Sequence, residues 1–319
     1  MVKIAFFGTP AFAVPTLERL LASPHPVVAA VTQPDRPRGR GRRVSESPVK
    51  QYATAGGVPV LQPERMKDPA FMDALADLAP DLGVVAAYGR MLPDALLALP
   101  RLGMINVHAS LLPKYRGAAP IHRAVMAGEP ETGITIIRLV REMDAGPMLR
   151  RAAAPIGPDD TSETLDGTLA RLGAAVLMEA VDELDRGCAI EEDQDHALAT
   201  FAPRLTREDG VIDWTRPARV LHDQVRGLHP WPRAACHLDG ARYLLHRTAV
   251  AARPPASPAG GTARPGQVIE AADGRLVVAA GADTALAILE IQPEGGRPLP
   301  ARAFLAGRRV RPGAIFSQP

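Results

Sequence analysis

Cysteine is nearly missing from this chain: 319 residues contain only Cys188 and Cys236, far apart, with no C-x-x-C spacing and no neighbouring histidine pattern. That excludes a disulfide framework and a zinc cage, and leaves buried, inert thiols as the expectation. Long apolar runs are missing too. No stretch approaches the roughly 18 to 20 residues that a bilayer-spanning helix needs, and Met1-Val2-Lys3-Ile4 runs straight into a strand pattern instead of a signal peptide. A cytoplasmic protein without a membrane partner is expected. There is little net charge, +2, and no internal repeat. Lysine is scarce, so the positive charge is almost all arginine in a chain rich in Ala and Pro. Such a composition points to a GC-rich genome and lowers the meaning of any single arginine.

What remains is an ordinary globular composition, 46% hydrophobic and 23% charged, in a chain longer than one core usually fills. Two domains are expected. Residues 207–319 hold 15 Arg and Lys against 10 Asp and Glu, whereas residues 1–206 hold 22 against 25. The C-terminal part is the basic one.

Val2 to Gly8 reads as an apolar strand, followed by helical spacing through Phe12, Leu17, Leu20 and Leu21 and a second strand, Val27 to Val31. The pattern repeats with Val58 to Leu61, a helix through Phe71, Leu75 and Leu78, then Leu82 to Ala87 and Met104 to Val107. Strands apolar on both faces and separated by helices predict an α/β fold, a Rossmann-like doubly wound, mostly parallel sheet. Ile134 to Val140 and Met148 to Ile156 are joined by a short turn and are expected to pair at one edge. A long helix, Thr161 to Arg186, completes a catalytic domain over 1–188, and a polar stretch without period, 189–207, reads as a linker. In 208–319 a helical segment, Pro217 to Gly227, precedes short strand-like runs at Arg242 to Val250, Gly266 to Ala271, Leu276 to Ala280 and Ala285 to Ile291. Short strands with Gly and Pro turns predict a small OB-like β-barrel. Arg253 to Gly261 is expected as a surface loop.

Chemistry concentrates at Gly103 to Pro113. A period of two places Ile105, Val107 and Ala109 on one face and Asn106, His108 and Ser110 on the other, at the carboxyl end of a strand, where open sheets bind ligands. The plain alternative is that these polar groups only hold loops above the sheet. Asp144 follows the next apolar run; alone it reads as a turn aspartate, and its combination with Asn106 and His108 gives it weight. Together the three suit acyl transfer to an amine: donors polarise a carbonyl and a carboxylate assists the imidazole in moving protons. No serine or cysteine nucleophile is required. Gly8-Thr9-Pro10 is not G-x-G-x-x-G, so a tight turn lining the cleft is expected there and not a dinucleotide site. Arg36, Arg38, Arg40, Arg42 and Arg43, set among Pro and Gly, form an exposed loop that leaves the second strand on the side of the catalytic trio. Contact with a phosphate backbone is favoured over a merely solvated charge run.

Asn106-x-His108, then Ser110-Leu111-Leu112-Pro113-Lys114-Tyr115-Arg116-Gly117, and Asp144 resemble the folate-dependent formyltransferases. The resemblance implies 10-formyltetrahydrofolate as formyl donor without a metal, Asn106 and His108 as formyl-polarising groups, Asp144 as proton-relay partner, and Ser110, Leu111, Leu112 and Pro113 beside the folate. Gly8-Thr9-Pro10, Gln33-Pro34-Asp35-Arg36-Pro37 with Gly39-Arg40-Gly41, Ser47-Pro48-Val49-Lys50, Ile212-Asp213-Trp214 and Pro230-Trp231-Pro232 are most similar to the branch of that family that formylates methionine on initiator tRNA. It implies initiator methionyl-tRNA as partner, with the arginine loop entering the acceptor arm and the basic barrel adding contacts. A monomer is expected. Three positions depart from the family pattern: Ala109 where glycine is common, Ala11 where an acidic residue often follows, and His229 where Asn often precedes Pro-Trp-Pro. None removes a catalytic group. The rivals are a formyltransferase acting on a nucleotide-linked aminosugar, a non-enzymatic RNA-binding protein, and a hydrolase that releases formate to water.

Overall fold

The computed structural model describes residues 1–38, 43–251 and 263–318. It divides into two units that alternate along the chain: residues 1–120, 131–155 and 166–203 in the first, and 121–130, 156–165 and everything from 204 onward in the second.

The first unit is built on a seven-stranded sheet of β1 (Ile4–Gly8), β2 (Val27–Val31), β5 (Val60–Leu61), β6 (Leu82–Ala86), β7 (Met104–His108), β8 (Glu131–Arg138) and β9 (Met148–Pro155). Its order is β5-β2-β1-β6-β7-β8-β9. The first five strands run parallel, while β8 pairs antiparallel with β7 and β9 with β8. This is the expected doubly wound sheet with its antiparallel edge. β1 and β6 are buried along their whole length, which is why they read as continuous apolar runs. Phe7 and Tyr88 meet edge to face in the core, and each such buried aromatic ring stabilises the fold by roughly 1.5–3 kcal/mol. Helices α1 (Val14–Leu21), α2 (Pro48–Ala55), α3 (Pro69–Asp77) and α4 (Asp94–Leu97) link the strands. Proline opens α2 and α3 behind capping side chains, Ser47 and Asp68, which accept from Lys50 N and Ala70 N; a fixed φ and a missing N–H suit that position. α5 (Pro120–Met126), nearly all of it in the second unit, and the long α6 (Ser162–Arg186) follow along the chain. A Cβ on Gly173 of α6 would lie 2.7 Å from Val107 Cγ1, so this glycine lets the helix backbone approach β7.

One expectation fails here. Cys188 is exposed: α6 ends at Arg186, Gly187 takes φ +66°, and the chain turns outward into polar sequence. Cys236 is buried, and burial pushes its thiol far above the ordinary range.

In the second unit, β10 (Ala234–Leu238), β11 (Ala241–Val250), β12 (Val268–Ala272), β13 (Arg275–Ala280), β14 (Thr284–Pro293) and β16 (Phe316–Ser317) form one antiparallel sheet in the order β12-β13-β14-β11-β10-β16, with β15 (Leu299–Pro300) on β14. The sheet curls until its ends meet: Val268 N donates to Ala314 O, Gly313 N to Val268 O and Phe316 N to Gly266 O. Trp214, Tyr243, Phe304 and Phe316 fill the interior. Helices α7 (Ala218–Gly227) and α8 (Ala301–Gly307) complete it. Residues Arg253 to Gly261, the expected loop, lie outside the described residues. No helix among the described residues is long and apolar enough to cross a membrane.

Candidate active site

From β1 the sheet grows one way through β2 and β5, then resumes on the other side of β1 with β6 and β7. Ligands bind in the crevice at the carboxyl ends of strands at such a switch. Thr9, after β1, donates to the Tyr88 carbonyl at 3.3 Å, and Gln33 Nε2 donates to the same oxygen at 2.8 Å. The Tyr88 hydroxyl lies 3.1 Å from Met66 Sδ, and burial, partly offset by Arg90, pushes the phenol up to about 12. It stays protonated at neutral pH.

On β7, Asn106 is half-buried and its amide has no hydrogen-bond partner among the described residues. Two residues on, His108 is 4% exposed. Its Nε2 lies 3.0 Å from the Tyr115 carbonyl, which only accepts, so Nε2 carries a hydrogen. Nδ1 faces Asp144 Oδ2 at 3.6 Å. Asp144 stands between β8 and β9 at φ +51°, and its Oδ2 also accepts the Gly117 N–H at 2.8 Å. Gln194 Nε2 donates to the carbonyls of Asp144 and Gly146, at 2.8 and 2.7 Å.

The expected alternation ends one step early. β7 stops at His108, and Ser110 turns inward, fully buried, its hydroxyl donating to the Lys114 carbonyl at 2.6 Å. Thr135 of β8 fixes this loop by donating to Ser110 O at 2.7 Å and accepting from Leu112 N at 3.1 Å. Leu112 is buried with Ile137 and Met148, Leu111 and Pro113 are half-buried, and the Leu112–Pro113 peptide is cis.

The two described ends of the arginine segment are strands. β3 (Arg36–Arg38) and β4 (Arg43–Ser45) pair antiparallel, with Pro37 opposite Val44. Arg36 is exposed; Arg40 and Arg42 lie outside the described residues, and Arg38 and Arg43 stand opposite each other in register. Its footing is specific. Asp35 pairs with Lys50 and accepts from Gln62 Nε2 at 2.9 Å, and the Lys50 ammonium, ahead of Gln62, holds its carboxyl below the ordinary range. The Thr32 and Ser47 hydroxyls lie 2.8 Å apart. Thus Gln33 to Asp35 and Ser47 to Lys50, separate motifs in the sequence, are two sides of one base.

Sequence reasoning missed Thr135 and Gln194. Thr135 is the one polar residue in Ile134-Thr135-Ile136-Ile137, a faint signal. Gln194, inside Glu191-Glu192-Asp193-Gln194-Asp195, gave none. The assembled geometry offers a free amide donor on the same strand as an imidazole whose Nδ1 lies 3.6 Å from a carboxylate oxygen, which suits holding a carbonyl and moving a proton.

Residues 2–181 match the formyl transferase family and residues 204–309 its C-terminal domain family. A methionyl-tRNA formyltransferase of Geobacter sulfurreducens is 45% identical over 317 residues, 99% of this chain and 97% of the relative. Those of Desulfotalea psychrophila and Caldanaerobacter subterraneus are 47% and 46% identical, over 97% and 99% of this chain and 94% and 100% of theirs. In fold alone, an N-formyltransferase from Helicobacter canadensis, solved with folinic acid and dTDP-3-aminofucose, superposes at TM-score 0.68 and 15% identity, covering 90% of this chain and 99% of that one. HypX from Aquifex aeolicus, solved with tetrahydrofolic acid, superposes at 0.61 and 16% over 95% of this chain and 47% of its own. The chain therefore belongs to the formyl transferase family and, within it, to the methionyl-tRNA formyltransferases.

Proposed function

We propose that this chain transfers the formyl group of 10-formyltetrahydrofolate to the α-amino group of methionine on initiator methionyl-tRNA. The observation that carries the chemistry is the unpartnered Asn106 amide beside the His108–Asp144 pair; the acceptor follows from the near full-length relatives. The folate supplies an activated formyl carbonyl. Asn106 donates to the oxygen of that carbonyl as it gains charge. His108, with Nε2–H fixed on Tyr115, can take a second proton only on the axis facing Asp144, and the resulting imidazolium supports negative charge at the strand end. Asp144 accepts the proton that the attacking amine must lose, directly or through water, and returns it to the departing nitrogen.

Ser110, Leu111, Leu112 and Pro113 are assigned to the folate side of the cleft. The assignment to tRNA phosphates covers Arg36, Arg38, Arg40, Arg42 and Arg43, a segment whose described ends, β3 and β4, are anchored by Asp35, Lys50 and Ser47. Residues 1–188 act as the catalytic domain, 189–207 as linker and 208–319 as the tRNA-binding domain of a cytoplasmic monomer. The test is transfer of labelled formyl to methionyl initiator tRNA, beside an aminosugar nucleotide and a variant with Arg40 and Arg42 changed to Ala. Formylated tRNA, strongly reduced in the variant, is expected. Formylated sugar or free formate without tRNA product would overturn the acceptor.

A further inference from the structure

The segment that carries Gln194 is hydrogen-bonded to the first unit at two places, one on β9 and one on the loop that follows β7. Glu192 and Met148 exchange backbone hydrogen bonds at 2.9 and 2.8 Å, Arg116 N donates to Thr200 O at 2.9 Å, and Ala202 N donates to Arg116 O at 2.7 Å. Between them lies a buried side-chain network. Arg116, 6% exposed, directs Nε and Nη2 at Gln194 Oε1, at 3.1 and 2.7 Å, and Nη2 also lies 3.2 Å from His196 Nδ1. The guanidinium makes no ion pair with a carboxylate among the described residues. A buried cation held by neutral acceptors is costly, and such an arrangement asks for a reason.

Gln194 itself has one possible orientation. A guanidinium only donates, so Oε1 must face it, and Nε2 must then face the carbonyls of Asp144 and Gly146. A flipped amide would set its N–H groups against the guanidinium and its oxygen against two carbonyls. The strut is therefore fixed by its own chemistry. Asp144 lies in the left-handed region, and both of its ends lead back to one dipeptide: its carbonyl through Gln194 to Arg116, its carboxylate directly to Gly117 N. The quantity these bonds set is the 3.6 Å approach of Asp144 Oδ2 to His108 Nδ1.

Resting on the proposed formyl transfer, we infer that Gln194 and Arg116 are positioning residues for the Asp144–His108 pair, so that residues 192–202 of the proposed linker also brace the active site. They touch no substrate; they hold the proton axis.

The test uses Gln194→Glu, which keeps shape and an acceptor for Arg116 but loses both donors to the Asp144 loop, and Gln194→Met, which loses all four bonds at similar volume. Turnover with methionyl-tRNA is expected to fall about tenfold or more in each, as small misplacements do, with KM for the formyl donor within about threefold and the melting temperature of Gln194→Glu near that of the unchanged protein. The pH–rate profile should shift, because the displaced carboxylate is the group assigned to carry the proton. In a double-mutant cycle, either change should cost little further in an Asp144→Asn background. Wild-type turnover, additive losses in the cycle, or reduced turnover with a superimposable pH profile would overturn the inference, as would failure of both variants to fold, which would assign the network to stability alone. Absence of formyl transfer by the unchanged protein would remove the reading on which this one rests, and this one with it.

Discussion

Asp144 accepts from Gly117 N with the same oxygen that faces His108, and that double duty separates holding from chemistry. In Asp144→Asn the amide oxygen can still accept from Gly117, so the loop keeps its anchor while the group loses its proton affinity. Turnover is expected to fall roughly a hundredfold or more, with affinity for the formyl donor nearly unchanged in equilibrium titration. A kcat equal to that of the unchanged protein would remove Asp144 from the proton path. Asn106 and His108 stood out in the sequence because polar groups at the end of an apolar strand violate the local pattern, and Asp144, alone a turn aspartate, stood out only beside them. Gln194 was not, because one amide among acidic residues violates nothing until the chain folds and Arg116 arrives. Ser110 marks the limit of periodicity: alternation holds only while the strand does, and this strand ends at His108.

β8 shows what an element can do beyond filling a sheet. Its Thr135, wholly buried, serves both Ser110 O and Leu112 N. In Thr135→Val, a change of nearly constant shape, two buried backbone groups lose their partner, at roughly 1–3 kcal/mol. Chemical denaturation should register that loss, and an unchanged midpoint would mean the loop repairs itself. β1, β2, β6 and β7 were readable within a residue or two, since they are largely buried apolar runs, whereas β8, read as Ile134 to Val140, begins three residues earlier at Glu131. β10 was not readable. Ala234-Ala235-Cys236-His237-Leu238 contains no β-branched residue, so its strand character comes from pairing with β11 and β16 and not from propensity. The β3–β4 pair was hidden for a similar reason, since arginine, proline and glycine suggest a loop and the clamp of Asp35 by Lys50 is visible only in three dimensions.

Across the whole molecule, the histidines held below their ordinary range fall in the second unit. Burial comes first for His122, His229 and His246; Arg123 adds to it for His122 and Arg233 for the other two, against a Gln292 hydrogen bond that favours protonated His246. A depressed folded value means that unfolding takes up protons once pH falls below about 6.5, so this stability is full above that pH and lost beneath it. Asp81, held low by the Lys3 amide and by Arg101, adds acid sensitivity only near and below pH 4. The melting temperature is therefore expected to decline between pH 7 and pH 5, less so in His246→Gln, and a flat profile would contradict it. The alternation of the two units along the chain has a consequence for biosynthesis. At roughly 5–20 residues per second, residues 121–130 leave the ribosome on the order of ten seconds before residue 204 does. Ile121 and Val125, buried in the finished protein, belong to a unit whose remainder is made largely after residue 203, and the first unit itself is incomplete until residue 203 has been made. A nascent chain of this protein cannot complete its first unit until nearly two thirds of it has been synthesised.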